Sequence, residues 1–338
     1  MNNYLSLFSI IWRYINYYGG PTQTPTYSSF SRRTIDSSLR TTVNVCFGIS
    51  GNHPGFLAEF EVALKSVLLN APLQSDLSIH ILADSDAYVA VGAILYQTGL
   101  NGTLWRNSIT IQTYNVAPYL ENWTNEIKQL NTDMDFGKHT IGAYFRLYMH
   151  RVLPNSIGHI LYMDTDIVIM ANLDNLWTNI DRDAVFQWGE DLCAGFVILN
   201  LPKLDTVLDM ARRVDLAAIA NSTGRSMDDQ LIFVAINYTF PDVVAVLPEE
   251  WAISVAAGAW RHANDIVDYR PKVGMFHFNG GGSSKEEYWK GEFVTGLADT
   301  WGVGTFYYVK LPWTWAKFIG ESMKGDGSGN PLIIHHNQ

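Results

Sequence analysis

His159–Trp177 reads HILYMDTDIVIMANLDNLW, and this stretch decides how the rest of the chain is read. It is apolar, then places Asp164 and Asp166 one residue apart, then turns apolar again. Ionised carboxylates inside so greasy a segment are costly unless they are paired or bind a metal. A divalent cation is the simplest compensation, since hard cations such as Mn²⁺ and Mg²⁺ take oxygen ligands and bind through one or two carboxylates plus a ligand's phosphates. The pattern therefore predicts an acid pair at the carboxyl end of a buried strand, facing a phosphorylated ligand.

Upstream, the sequence alternates strand and helix. Val43–Ser50 (VNVCFGIS) is a short apolar run ending in Gly and Ser, and Phe56–Asn70 spaces its apolar residues as a helix does. Leu77–Asp84 (LSIHILAD) reads as a second strand, a helix follows near 87–97, and Ser108–Asn115 (SITIQTYN) is a third strand. The order βαβαβ predicts a parallel, doubly wound α/β sheet, which binds ligands outside the carboxyl ends of its strands. Ser50, Gly51 and Asp84 lie at such ends, as do Asp164 and Asp166. A helix is predicted over Ile141–Arg151, carrying Arg146 among aromatic and aliphatic neighbours and stopped by Pro154. Downstream, Asp183–Glu190 and Cys193–Leu201 read as strands, Lys203–Ala220 and Asp228–Asn237 as helices, and Val243–Trp251 as an apolar run leading to GMFHFNGGG at Gly274–Gly282.

At 338 residues, with 47% hydrophobic and 13% aromatic content, the chain can bury a large core. Lys and Arg total 23 against 33 Asp and Glu, a formal charge of −10, which argues against nucleic acid as a partner. It does not argue against a nucleotide, because a metal supplies local positive charge. The two cysteines, Cys46 and Cys193, sit in apolar runs and read as free thiols. Leu5–Ile15 is apolar but short and interrupted by Arg13, and Gly19–Thr42 is rich in Ser, Thr, Pro and Gly. Residues 1–42 are therefore expected to be a weak anchor and flexible stem, 43–320 one domain, and 321–338 a flexible tail. Any membrane contact is expected only through that N-terminal anchor. Asn-X-Ser/Thr sequons at Asn101, Asn122, Asn221 and Asn237 suggest the lumen of the secretory pathway, Golgi or ER, with the cytoplasm as the alternative.

Other motifs admit two readings each. His277, in a strand, is a satisfied core residue or a metal ligand. Asn279–Lys285 (NGGGSSK) is a plain turn, or a Gly-rich cradle whose amides and Lys285 meet phosphate. Asp229 and Gln230 follow Ser226-Met227-Asp228, so this segment caps a helix, binds a ligand, or does both. Trp251, Trp260, Trp289, Trp301, Trp313 and Trp315 crowd the C-terminal third, where they pack or stack on sugars.

Taken in order, these pieces resemble glycosyltransferase family 8, retaining enzymes of the GT-A fold that use nucleotide-sugar donors, and look most similar to the eukaryotic glucoside xylosyltransferases. Tyr144–Leu147 (YFRL) resembles the family's helix arginine, Leu161–Asp166 (LYMDTD) its Asp-X-Asp strand, and Ala194-Gly195 its Asn-Ala/Ser-Gly turn. Asp229-Gln230 resembles its Asp-Gln pair, and Phe276-His277-Phe278 its histidine strand. The resemblance implies a GT-A-like fold: a mostly parallel Rossmann-type sheet flanked by helices, with a smaller mixed C-terminal part. It implies transfer of xylose, glucose or galactose from a UDP-sugar to a glycan or glycosylated protein, with retained configuration. Asp164, Asp166 and His277 would hold Mn²⁺ (or Mg²⁺), with Asp164 also near the ribose. Ser50, Gly51 and Asp84 would meet base and ribose, and Arg146, Ala194, Gly195, Gly280 and Lys285 the rest of the donor. Asp229 would bind sugar hydroxyls and Gln230 lie beside the anomeric carbon. Two departures stand out. Cys193 replaces the amide before Ala-Gly, and Lys285 comes two residues late for His-X-X-Gly-X-X-Lys. Two rival functions remain open on the sequence. One is a haloacid-dehalogenase-like phosphatase with Asp164 as nucleophile. The other is a nucleotide-sugar or glycan-binding protein without activity.

Overall fold

The computed structural model describes residues 41–72, 74–97, 109–136, 141–190, 192–252 and 274–277. Gly280, Lys285, Asn101, the tryptophans beyond Trp251, nearly all of the stem 1–42 and the tail 321–338 lie outside the described residues. In chain order the strands are β1 (Thr42–Ile49), β2 (Asp76–Ala83), β3 (Ile109–Asn115), β4 (His159–Met163), β5 (Ile167–Ile169), β6 (Phe186–Trp188), β7 (Phe196–Asn200), β8 (Val244–Val246) and β9 (Met275–His277). The α-helices are α1 (Pro54–Leu69), α2 (Ser85–Gln97), α3 (Leu120–Leu130), α4 (Phe145–Tyr148), α5 (Leu173–Trp177), α6 (Leu204–Ala211), α7 (Leu216–Thr223) and α8 (Asp229–Thr239).

The main sheet runs β3-β2-β1-β4-β7-β6-β8. Its pairs β1–β2, β2–β3, β1–β4 and β6–β8 are parallel, whereas β4–β7 and β6–β7 are antiparallel. Strand order reverses beside β1, with β2 on one side and β4 on the other, and a crevice opens at the carboxyl ends of the strands at such a point. The expected mostly parallel α/β sheet is present, with the antiparallel strands added by the second half of the chain.

Alternation along β1 builds both cores. Val43, Val45, Phe47 and Ile49 face one apolar cluster with α1, α2 and α5, while Cys46 faces the other, formed with α3, α4 and α8. Asn70 Nδ2 donates to the Ile169 carbonyl at 2.8 Å and Ser66 Oγ accepts from the Ile169 amide at 2.9 Å, so the end of α1 is tied to β5.

Two helix expectations need correction. Ile141–Arg151 is not one α-helix. It is a 3₁₀ turn (Ile141–Tyr144), the single turn α4, and a second 3₁₀ turn (Met149–Arg151). The Arg146 Nε donates to the Ala143 carbonyl at 2.8 Å, taking an acceptor that a regular helix would use. Lys203–Ala220 breaks into α6 and α7. Asp215 ends the first run by capping the second, its carboxylate accepting from the Ala218 amide at 3.0 Å. Among the described residues, no helix is long and apolar enough to cross a membrane.

Candidate active site

The site lies where the carboxyl ends of β1 and β4 meet the start of α8. β4 ends at Met163, and the turn Asp164–Asp166 then leaves the sheet for β5. The Asp164 amide donates to the Gly195 carbonyl at 2.7 Å, pinning this turn to the loop before β7. β5 pairs antiparallel with β9 in the register Ile167↔His277, which sets His277 beside Asp166 although 111 positions separate them. A cavity of about 240 Å³ opens here. Its lining includes Ser50, Arg146, Asp164, Asp166, Gly195, Asp229 and Gln230.

Asp164, Asp166 and His277 each offer one ligand atom, and these atoms lie within 4.8 Å of one another. His277 Nε2 is 3.2 Å from Asp166 Oδ1. Asp166 and His277 are buried and Asp164 is partly open to solvent. Two carboxylate oxygens and an imidazole nitrogen form a donor set suited to Mn²⁺ or Mg²⁺. A cation with ligands at roughly 2.1 Å needs ligand atoms about 3 to 4 Å apart, so a short contraction of this group closes on one. Burial lowers the pKa of His277, but Cys193 and Asp166 outweigh it and hold the ring well above the ordinary imidazole value.

Gly195 makes the cluster sterically feasible. A Cβ on it would fall 2.4 Å from His277 Cε1 and 2.7 Å from Asp164 Oδ2, far inside van der Waals contact. The Ala194-Gly195 turn of the sequence is thus a place where backbone must approach two ligand side chains closely.

Arg146 organises the other side. Its Nη2 is 2.9 Å from Asp164 Oδ1 and its Nε 3.1 Å from Asp229 Oδ2. Nη1 donates to the Ala194 carbonyl, and the guanidinium lies 4.4 Å over the Tyr162 ring. Although burial works against its charge, Asp164 and Asp229 raise the Arg146 pKa further above its usual value. Every nitrogen of the guanidinium therefore has a protein partner, so Arg146 acts here as a brace between the metal-ligand turn and α8. Asp229 is buried, which pushes its pKa up to about 7 despite Arg146. Asp228 caps α8 by accepting from the Leu231 amide at 3.1 Å and also lines the cleft, beside Asp229 and Gln230.

Asp84 is placed one step behind the cleft. Its Oδ2 accepts from Ser50 Oγ at 2.6 Å and from the Gly51 amide at 2.8 Å, and its Oδ1 caps α2 through Ala87. Ser50 lines the cleft and Asp84 holds it there. Gly51 has φ +75, a conformation side-chain-bearing residues avoid, so the turn after β1 requires it.

Sequence reasoning missed Glu59 and Thr165. Thr165 Oγ1 donates to Glu59 Oε2 at 3.1 Å, and both line the cleft. Glu59 is 4% exposed. The available signal was its place on the apolar stripe of α1, in line with Ala63 and Ser66. Cys193 was noted only as a departure, yet its Sγ lies 3.5 Å from His277 Nδ1.

Comparison with known proteins bears on the fold that carries this site. Residues 44–197 match the family model described as glycosyl transferase family 8. No curated protein sequence matches the chain. Among solved structures, mouse xyloside xylosyltransferase 1 in its apo form superposes with TM-score 0.52 at 16% identity, covering 71% of this chain and 98% of that one. The glycosyltransferase GlyE of Streptococcus pneumoniae TIGR4 gives TM-score 0.54 at 13% identity, covering 87% of this chain and 66% of that one. At such identities the likeness is one of fold. The matched segment 44–197 runs from β1 through the Asp-X-Asp turn to Gly195, so what this part of the chain resembles is glycosyl transferase family 8.

Proposed function

We propose that the chain is a retaining glycosyltransferase that moves a sugar from a UDP-sugar to a glycan or glycosylated protein, dependent on Mn²⁺ (or Mg²⁺). The observation that carries this reading is the convergence of Asp164, Asp166 and His277 at the mouth of a cleft that Arg146, Asp229 and Gln230 also line. A cation held by the first three would offset the negative charge that grows on the diphosphate as the sugar–phosphate bond breaks.

The remaining roles follow from placement. Ser50, fixed by Asp84, and the amide-bearing turn at Gly51 meet the nucleoside. Asp229, held through Oδ2 by Arg146, accepts from sugar hydroxyls with its other oxygen. Gln230 sits beside the anomeric carbon and is not a base. The acceptor oxygen attacks the face that the phosphate leaves, and its proton passes to the departing phosphate oxygen. The protein's contribution is then orientation and charge stabilisation. The name of the mouse fold neighbour makes UDP-xylose the first donor to try, beside UDP-glucose and UDP-galactose. We place the protein in the secretory lumen; the sequon asparagines Asn122 and Asn221 are exposed.

The test is a donor screen by UDP release, with and without Mn²⁺, using p-nitrophenyl phosphate as a control substrate. The expected result is Mn²⁺-dependent release from one UDP-sugar, abolished in Asp166→Asn with the fold intact. Wild-type rates in that variant would refute the metal role. Phosphatase turnover without nucleotide-sugar turnover would favour the rival nucleophile reading of Asp164. UDP is expected to raise Tm only when Mn²⁺ is present; equal stabilisation in EDTA would contradict the proposal.

A further inference from the structure

The His277 ring is gripped at both nitrogens. Nε2 faces Asp166 Oδ1 at 3.2 Å, and Nδ1 faces Cys193 Sγ at 3.5 Å. The ring is 3% exposed, and Gly195 lies against its Cε1 edge. Cys193 is not among the residues that line the cleft. The chain reaches this position through Leu192, a non-glycine residue at φ +55. A side chain held at such a conformation is strained, and the surrounding structure has to enforce it.

We infer that Cys193 is a positioning residue for the metal-ligand histidine: its sulfur accepts the Nδ1–H of His277 and keeps Nε2 aimed at Asp166 and Asp164. A histidine that ligates a metal through one nitrogen donates its other N–H to an acceptor, which fixes both tautomer and ring orientation. In the buried position of His277, an N–H without an acceptor is costly. The thiol is the acceptor within reach of Nδ1 among the described contacts, and sulfur accepts hydrogen bonds, weakly and at longer distance than oxygen. The thiol that precedes the Ala194-Gly195 turn thus contacts the histidine of the ligand cluster.

This inference rests on the metal reading proposed above, and the experiment separates the two. Mn²⁺ binding to the purified full-length chain is measured from the free-Mn²⁺ electron paramagnetic resonance signal. The proteins compared are wild type, Asp166→Asn, Cys193→Ser, Cys193→Val and Cys193→Ala. Metal-free circular dichroism spectra establish that each is folded. Removing such an outer partner weakens metal binding by about 10- to 100-fold. Cys193→Val and Cys193→Ala are therefore expected to lose affinity by about tenfold or more. Cys193→Ser, which keeps an acceptor, is expected to stay closer to wild type. If Asp166→Asn binds Mn²⁺ as wild type does, the metal reading itself falls. If Asp166→Asn loses Mn²⁺ but both Val and Ala variants bind normally, the role of Cys193 alone is overturned. Equal weakening in Ser, Val and Ala also overturns it, since hydrogen bonding would then not be what matters. Val keeps the position filled although it is bulkier than Cys, and Ala avoids crowding, so a folding failure in one leaves the other to decide.

Discussion

Replacing Gly195 by alanine tests the site with one methyl group. Its Cβ would land 2.4 Å from His277 Cε1, 2.9 Å from His277 Nε2 and 2.7 Å from Asp164 Oδ2. Carbon atoms pack at about 3.5–4.0 Å, so the ring must retreat by about 1 Å. It cannot do so freely: β9 holds its backbone in register with Ile167, and Asp166 and Cys193 hold its two nitrogens. Gly195 is not at positive φ, so alanine strains no backbone and the whole effect is steric. Overpacking of this kind costs about 1–3 kcal/mol of stability. A 1 Å misplacement at a reacting centre costs about 10²-fold in rate, and Mn²⁺ affinity is expected to fall at least about tenfold. Urea denaturation, Mn²⁺ titration and UDP release measure the three effects. Gly92→Ala is the control. It lies in α2, nothing comes within 4 Å of its added Cβ, and it should stabilise by about 0.5–1 kcal/mol. A Gly195→Ala protein with wild-type Mn²⁺ affinity and turnover would refute the packing argument for the cluster.

Two further perturbations probe buried charge. Arg146→Met leaves Asp229 buried without its partner, and breaking such a pair costs about 3–5 kcal/mol. Urea melts should show the penalty shrinking from pH 8 to pH 5, because protonated Asp229 no longer needs the guanidinium; a pH-independent loss would contradict this. His80 is buried in β2 between Ser78 Oγ (3.0 Å) and Tyr114 OH (3.1 Å), and burial lowers its pKa to about 4. The unfolded chain binds a proton between pH 6.5 and about 4 that the folded protein refuses, so the stability contributed by neutral His80 is complete above pH 6.5 and lost as pH falls toward 4. At 1.36 kcal/mol per unit, the loss is about 3 kcal/mol. The stability difference between wild type and His80→Gln should narrow or invert across that window, and a constant difference would show that folding leaves the His80 pKa unchanged.

The first half of the fold was legible because its signals are local. β1, β2 and β3 begin and end within two residues of the predicted runs, since each is a short apolar stretch closed by Ser, Asp or Asn. Asp164 and Asp166 announced themselves as acids in an apolar segment, and Arg146 as a cation among aromatics. What escaped was decided at long range. The antiparallel insertion of β7 beside β4 and the meeting of Ile167 with His277 depend on pairings that leave no mark on local spacing. The same holds for Thr165 and Glu59, 106 residues apart, and for Cys193 beside Nδ1 of His277. The division of Ile141–Arg151 into three turns was hidden because the side chain of Arg146 competes for the helix carbonyls while serving the site.

The charge balance of the cleft bears on how an anionic ligand would enter it. Among the described residues, Glu59, Asp164, Asp166, Asp228 and Asp229 line the cleft against the single guanidinium of Arg146. Asp228 is committed to the start of α8, and Asp229 and Asp164 to Arg146. Arg146 is in turn committed to them, which removes the obvious cation for a diphosphate among the described lining residues. A bare pyrophosphate approaching these described lining residues meets net negative charge, and a low-dielectric wall strengthens that repulsion. A divalent ion at Asp164, Asp166 and His277 reverses the local sign, since a bound cation is the largest charge in such a site. On the proposed reading the acidity of the cleft is therefore not at odds with a nucleotide ligand. It makes metal and nucleotide obligate companions, so UDP affinity should collapse in EDTA instead of declining modestly.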